Sequence, residues 1–231
     1  MHPLEAKPVR VWDLPTRAFH WALVLCVTGS VLSAKLGGNA MAWHLRLGYV
    51  AFTLLLFRFV WGLMGGRWSR FVSFAYSPQA AWRYLRGRPL PGDNFEVGHS
   101  PLGALSVFAL LAFLSLQVGT GLFADDEIAT TGPLIRFVSG ATSHVLTGYH
   151  KHWGQWTILL LAGLHIGAIS FHVLRRGKTL IRPMLTGDKL LPTTVPASQD
   201  GWPRRLLAMA LLMVCAALVA WVVSWGQQAG G

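Results

Sequence analysis

The sequence predicts an all-α integral membrane protein, a four-helix transmembrane bundle followed by a fifth, C-terminal transmembrane helix. Three observations carry that prediction. Of 231 residues, 53% are hydrophobic and only 13% charged, against about 25% charged in an ordinary soluble domain. The apolar residues fall in five runs, each near the ~20 residues that a helix needs to cross a ~30 Å hydrocarbon core. One of those runs carries four histidines, His150, His152, His165 and His172. An ionisable group inside a membrane helix is costly enough to be functional by default, and neutral imidazole is the commonest metal ligand.

The elements follow in order. Residues 1 to 16 are polar and basic, with Asp13 a capping residue and Pro15 suited to a first helical turn. The first span runs over about 16–34; Arg17 and His20 at its start and the lack of a small-x-small cleavage site argue for a retained helix over a signal peptide. Gly37-Gly38-Asn39 turns the chain into a second span, about 41–64, that Gly65-Gly66 stops. The next loop interleaves Arg67, Arg70, Arg83, Arg86 and Arg88 with Trp68, Trp82 and Tyr84, the composition of a membrane interface. Within it, 78–86 reads as a short amphipathic surface helix. The third span covers about 101–123, then come the acidic run Asp125-Asp126-Glu127 and a linker to Thr147. The fourth span, about 149–174, ends in Arg175-Arg176-Gly177-Lys178. A polar stretch from Leu191 to Pro203 leads to the fifth span, about 206–225. The chain thus divides into a transmembrane domain over 1–190 and a linker with a further helix over 191–231.

The formal charge of +11 sits in alternate loops, which argues for membrane orientation and against nucleic acid. Sixteen of the twenty Lys and Arg fall on the N-terminal side. The N-terminus is therefore expected on the cytoplasmic side and, with five spans, the C-terminus outside. Cys26 and Cys215 lie in mid-span and read as small packing residues. There is no Cys-x-x-Cys-His, so any haem would be held without thioether bonds.

This topology gives each histidine a depth. His44 and His150 lie toward the outer side, His20 and His165 toward the inner side, and about 22 Å of helical rise separates His150 from His165. That spacing suits two stacked haems on a shared helix, with the four histidines as axial iron ligands. His152 is the alternative to His150, and His172, on nearly the same helical line as His165, is the alternative to His165. Both outer candidates precede a glycine by one turn, Gly48 and Gly154, leaving room for a flat macrocycle. Arg58, inside the second span, needs an anionic partner, for which an inner haem propionate is the candidate. Arg17 and Arg46 are weaker candidates of the same kind.

Several phrases resemble the bacterial cytochrome b561 family, which includes the b-type cytochrome subunits of nickel-iron hydrogenases. They are Val11-Trp-Asp-Leu-Pro-Thr-Arg-Ala-Phe-His20-Trp21, Leu56-Phe-Arg58-Phe-Val-Trp-Gly62, Gly119-Thr-Gly-Leu-Phe123, Asp126-Glu-Ile-Ala-Thr-Thr-Gly-Pro-Leu134 and Arg182-Pro-Met-Leu-Thr-Gly187. The resemblance covers about 9–190 and implies a four-helix bundle holding two non-covalent b haems. It implies ligands on the first, second and fourth helices, here His20, His44, His150 and His165. The fifth span lies outside it.

The expected function is that of a diheme cytochrome carrying electrons across the membrane between a quinone pool and a redox partner. By resemblance the partner is a periplasmic c-type cytochrome or a hydrogenase-like enzyme; a second copy of the chain is a further candidate, and Asp125 to Glu127 a candidate docking run for a basic protein. Two other readings stand beside it. One is a self-contained oxidoreductase acting on a small molecule such as superoxide. The other is a haem-free anchor or transporter with a histidine relay for protons or a metal.

Overall fold

The computed structural model describes residues 6–90, 92–128, 130–192 and 195–227. Their elements are β1 (Ala6–Arg10), α1 (Leu14–Leu36), α2 (Met41–Met64), α3 (Pro78–Leu85), α4 (Pro101–Gly121) and α5 (Gly140–Gly148), then a π-helical turn (Tyr149–Gly154), α6 (Gln155–Arg176), α7 (Ile181–Thr186), β2 (Asp188–Pro192) and α8 (Trp202–Gln227). Five helical segments are long and apolar enough to cross a membrane: Leu14–Leu36, Gly38–Met64, Pro101–Gly121, Gly140–Arg176 and Trp202–Gly226. This is the expected all-α integral membrane protein. The short surface helix α3 also forms where expected, capped by Ser77 with Pro78 in its first turn.

Two features differ from the sequence reading. The fourth span does not begin near residue 149. It is helical from Gly140, where Ser139 caps α5, and it passes through a π turn over the histidine-rich phrase. The polar stretches at either end of the first 190 residues also pair with each other. β1 and β2 form a two-stranded antiparallel sheet in which Ala6 faces Pro192 and Arg10 faces Asp188. A five-residue pairing between segments about 180 residues apart leaves no periodic signal in either strand.

The chain forms two compact units, one comprising the N-terminal segment to Phe19 with Arg58–Ala109 and Gly163–Met209, the other His20–Phe57, Leu110–Ala162 and the segment from Ala210. In the first unit, a core of Val9, Val11, Trp12, Trp68, Val97 and Leu191 forms around the β1–β2 pair. Asp13 organises what surrounds it. Fully buried, its carboxylate accepts from Thr16 N at 2.8 Å as the cap of α1, from Gly66 N at 2.8 Å and from Trp61 Nε1 at 3.2 Å. A Cβ at Gly66 would collide with that carboxylate, which explains why the stop after α2 needs glycine there. Gly187 ends α7 at φ 94°, where its carbonyl accepts from Val11 N and Trp12 N. Arg10 binds Asp188 at 2.7 Å and Asp200 at 2.6 Å, and Arg205 adds a second contact to Asp200.

Candidate functional site

In the second unit, α1, α2, α4 and the π turn surround a cavity of about 400 Å³, within the ~300–1,000 Å³ range of cofactor sites. His44 from α2 and His150 from the π turn both line it. Their rings lie 5.9 Å apart, centroid to centroid, at an interplanar angle of 85°. Two imidazoles on opposite sides of one metal, with metal–nitrogen bonds of about 2.0–2.1 Å, have centroids roughly 6 Å apart.

The hydrogen bonds of the two rings fix which nitrogen is free. His44 Nδ1 lies 2.9 Å from the main-chain oxygen of Ser30, and His150 Nδ1 lies 2.8 Å from that of Gln117. A carbonyl only accepts, so each Nδ1 donates, and the lone pair of each neutral ring stands on Nε2. A metal-bound histidine is ordinarily held in this way, its second nitrogen tied to a carbonyl or carboxylate that orients the ring and raises its basicity. Among the described residues, no group of three or more His, Cys, Asp or Glu is placed to hold a bare metal ion. Two imidazoles at this separation, beside a mostly apolar cavity, fit an axially ligated macrocycle such as haem.

The glycines around the site do different jobs. A Cβ at Gly48 would meet nothing within 4 Å, and Gly48 lines the cavity as expected for a flat ligand. Gly154, in the matching phrase, does not: a Cβ there would collide with Gln117 Oε1 and lie 2.9 Å from Tyr149 Cε1. Its role is to let Gln117 approach the π turn. Gly121 seats the ring itself, since a Cβ there would lie 2.8 Å from His150 Cε1 and 3.1 Å from Nδ1.

The π turn also decides which residues face inward. His150 and Gln155 both line the cavity although they are five apart, an offset of about 140° on an α-helix. The i→i+5 pattern of a π turn underwinds the chain and brings both to one side. Ideal-helix angles between His150 and residues of α6 therefore do not hold across 149–154. His152 is exposed and does not line the cavity. Lys35 and Lys151, both exposed, do line it, together with Asp125 and Asp126. Arg46 instead stacks on Trp43 at 5.1 Å.

The remaining sequence candidates fall as follows. His20 belongs to the second unit and is half-buried. His165, half-buried in the first unit, has its Nδ1 3.4 Å from Ser106 Oγ. His172, also in the first unit, keeps a buried Nδ1 without a hydrogen-bond partner among the described residues. Arg58 is 3% exposed, lies over the Phe71 ring at 4.6 Å, and has an Nη1 with no hydrogen-bond partner among the described residues. An orphaned guanidinium nitrogen at a buried position fits an anionic group of a bound cofactor. The acidic run is spent largely on its own loop. Asp125 Oδ1 accepts from Glu127 N, and Asp126 Oδ1 from Ile128 N and Thr130 N. Ser30, the Gln117 carbonyl and Gly121 escaped sequence reasoning because each acts through a main-chain atom or a missing side chain.

The family model for prokaryotic cytochrome b561 matches residues 11–187. The chain is similar to a probable Ni/Fe-hydrogenase 1 B-type cytochrome subunit of Escherichia coli (strain K12), at 22% identity over 77% of this chain and 88% of the relative. It is similar also to probable Ni/Fe-hydrogenase B-type cytochrome subunits of Rhizobium leguminosarum bv. viciae and Rhodobacter capsulatus. Identity to the first is 24%, over 81% of this chain and 91% of the relative; to the second it is 22%, over 78% and 81%. No solved structure matches the chain. The match spans the first four spanning segments together with the residues that build the cavity, and on it the chain belongs to the prokaryotic cytochrome b561 family, multi-pass membrane proteins of the b-type cytochrome class.

Proposed function

We propose that the protein is a diheme b cytochrome that carries electrons across the bacterial inner membrane, N-terminus cytoplasmic, between a quinone pool and a redox partner. The observation that carries this reading is the His44–His150 pair, 5.9 Å apart, each ring with its Nδ1 tied to a main-chain carbonyl. His44 and His150 hold the outer haem and His20 and His165 the inner one. Bound haem b supplies a one-electron iron couple; the protein sets its potential through axial ligands, their hydrogen bonds and burial. Lys35 and Lys151 offer the outer propionates a cationic rim, and Arg58 neutralises an inner propionate.

The partner is a hydrogenase-like enzyme, on the similarity to hydrogenase cytochrome subunits, with a periplasmic c-type cytochrome as the second candidate. Spectra of purified protein test the reading. A reduced-minus-oxidised difference spectrum with pyridine haemochrome quantification should give two b haems per chain. His44→Ala and His150→Ala should each leave one, and His152→Ala should leave two. A folded, membrane-inserted preparation without haem would refute it.

A further inference from the structure

We propose that Gln117 is the positioning residue of the outer site, gripping the π turn from two sides of His150 and so fixing the direction and donor strength of its imidazole. The inference rests on the reading of His44 and His150 as the outer ligands. Gln117 uses both halves of itself. Its main-chain oxygen accepts from His150 Nδ1 at 2.8 Å, and its side-chain Nε2 donates to the His150 main-chain oxygen at 3.0 Å. The ring cannot swing without breaking the first bond, and the backbone beneath it cannot slide without breaking the second.

Three further observations belong to the same device. The π turn occupies only Tyr149–Gly154, the six residues that carry His150, with regular α-helix on both sides. π turns of this kind concentrate at functional sites. Gly154 supplies the space, because any Cβ there would overlap the Gln117 side chain. Gln117 Oε1 is buried with no hydrogen-bond partner among the described residues, so the hold on the side chain is its amide donor. A half-buried glutamine that leaves its buried Oε1 unsatisfied in order to donate to one carbonyl is an expensive way to fill space. It is an economical way to keep an imidazole aimed.

The bond from Nδ1 to a carbonyl raises the basicity of the ring and favours the oxidised metal. Loosening it should raise the potential of the outer haem and leave the inner one alone. Gln117→Met keeps length and volume, removes the amide, and preserves the main-chain carbonyl. In the haem-free protein, ¹⁵N NMR of His150 should show one Nδ1–H tautomer in the parent chain and a mixture in Gln117→Met. In the loaded protein, the haem that His44→Ala removes should shift its oxidised-to-reduced binding ratio about tenfold, which is about 59 mV upward for a one-electron couple.

Gly154→Ala evicts the same side chain from the opposite direction and should reproduce both effects; combined with Gln117→Ala it should add little. An unchanged His150 tautomer with unchanged potentials, in folded Gln117→Met or Gly154→Ala protein, would overturn the clamp. Failure of the ligand reading looks different: His44→Ala would then remove no haem, while the haem-free NMR comparison would still decide whether Gln117 orients the ring.

Discussion

Gly121→Ala is the smallest change aimed at the proposed outer site, and its size can be worked from the structure. The new methyl would lie 2.8 Å from His150 Cε1, and an ordinary contact begins at 3.4 Å. The ring must therefore withdraw from α4 by about 0.6 Å, or the two helices must part. Withdrawal acts against the bond that aims the ring, because its acceptor, the Gln117 carbonyl, is also on α4. A separation of 2.8 Å would open to about 3.4 Å, beyond the usual 3.2 Å limit for N–H···O. Losing such a bond is worth about 0.5–1.5 kcal/mol, and loss of an outer hydrogen-bond partner typically lowers metal-site affinity about 10–100-fold. We therefore expect outer-haem affinity to fall about tenfold, with the inner haem and the fold unchanged. Titrating haem into haem-free protein, followed by absorbance and by pyridine haemochrome, measures this directly. Two haems bound with parental affinities and potentials would refute the seating of His150 against Gly121.

Other perturbations probe the first unit. Asp13→Ala removes a helix cap and strands two buried donors, Gly66 N and Trp61 Nε1, so thermal unfolding in detergent should show a loss of about 3–6 kcal/mol; a loss below about 1 kcal/mol would mean that the buried carboxylate organises nothing. Burial alone would raise the Asp200 pKa, but Arg205, the Leu14 amide and Arg10 outweigh it and hold the carboxyl below its usual range. A depressed carboxylate pKa adds stability above the unfolded value and loses it as pH falls through the folded one. Asp200→Asn should therefore be less stable than the parent at pH 7, with the gap closing below about pH 4 in pH-dependent melts. Arg58→Leu should act with opposite signs in the two states. It removes a buried, incompletely paired cation and so raises the melting temperature of haem-free protein, while it weakens haem retention at the inner site. Destabilisation of the haem-free form would show that Arg58 is compensated within the protein itself.

Most of the architecture was legible because a membrane imposes a length and a composition on every spanning segment. The span over 41–64 matches α2 to the residue, and the surface helix over 78–86 matches α3 to within one. Asp13 could be read as a cap from its place before Pro15, but not as the acceptor for Trp61 and Gly66, because those partners lie some fifty residues away. The β1–β2 pair was hidden for the same reason. The histidines were legible as a set, because ionisable residues in apolar runs stand out. The helpers were not: a main-chain carbonyl at Ser30 or Gln117 carries no residue-type signal, and a glycine that seats a ring looks like any glycine in a membrane helix.

The π turn shows why an ideal-helix argument does not extend across the histidine-rich phrase. On an ideal helix, His152 would lie about 140° from His165. In the structure the difference is local: the chain from Tyr149 to Gly154 is underwound, His150 and Gln155 turn to the cavity, and His152 is left exposed. An α-helical phrase would separate His150 from Gln155 by about 140° and could not hold both at the cavity wall. The amide of Gln117 and the bare Cα of Gly154 meet at this turn, so the irregularity and its supports form one device. It gives the His150 ring a direction toward the cavity that a regular helix would not offer.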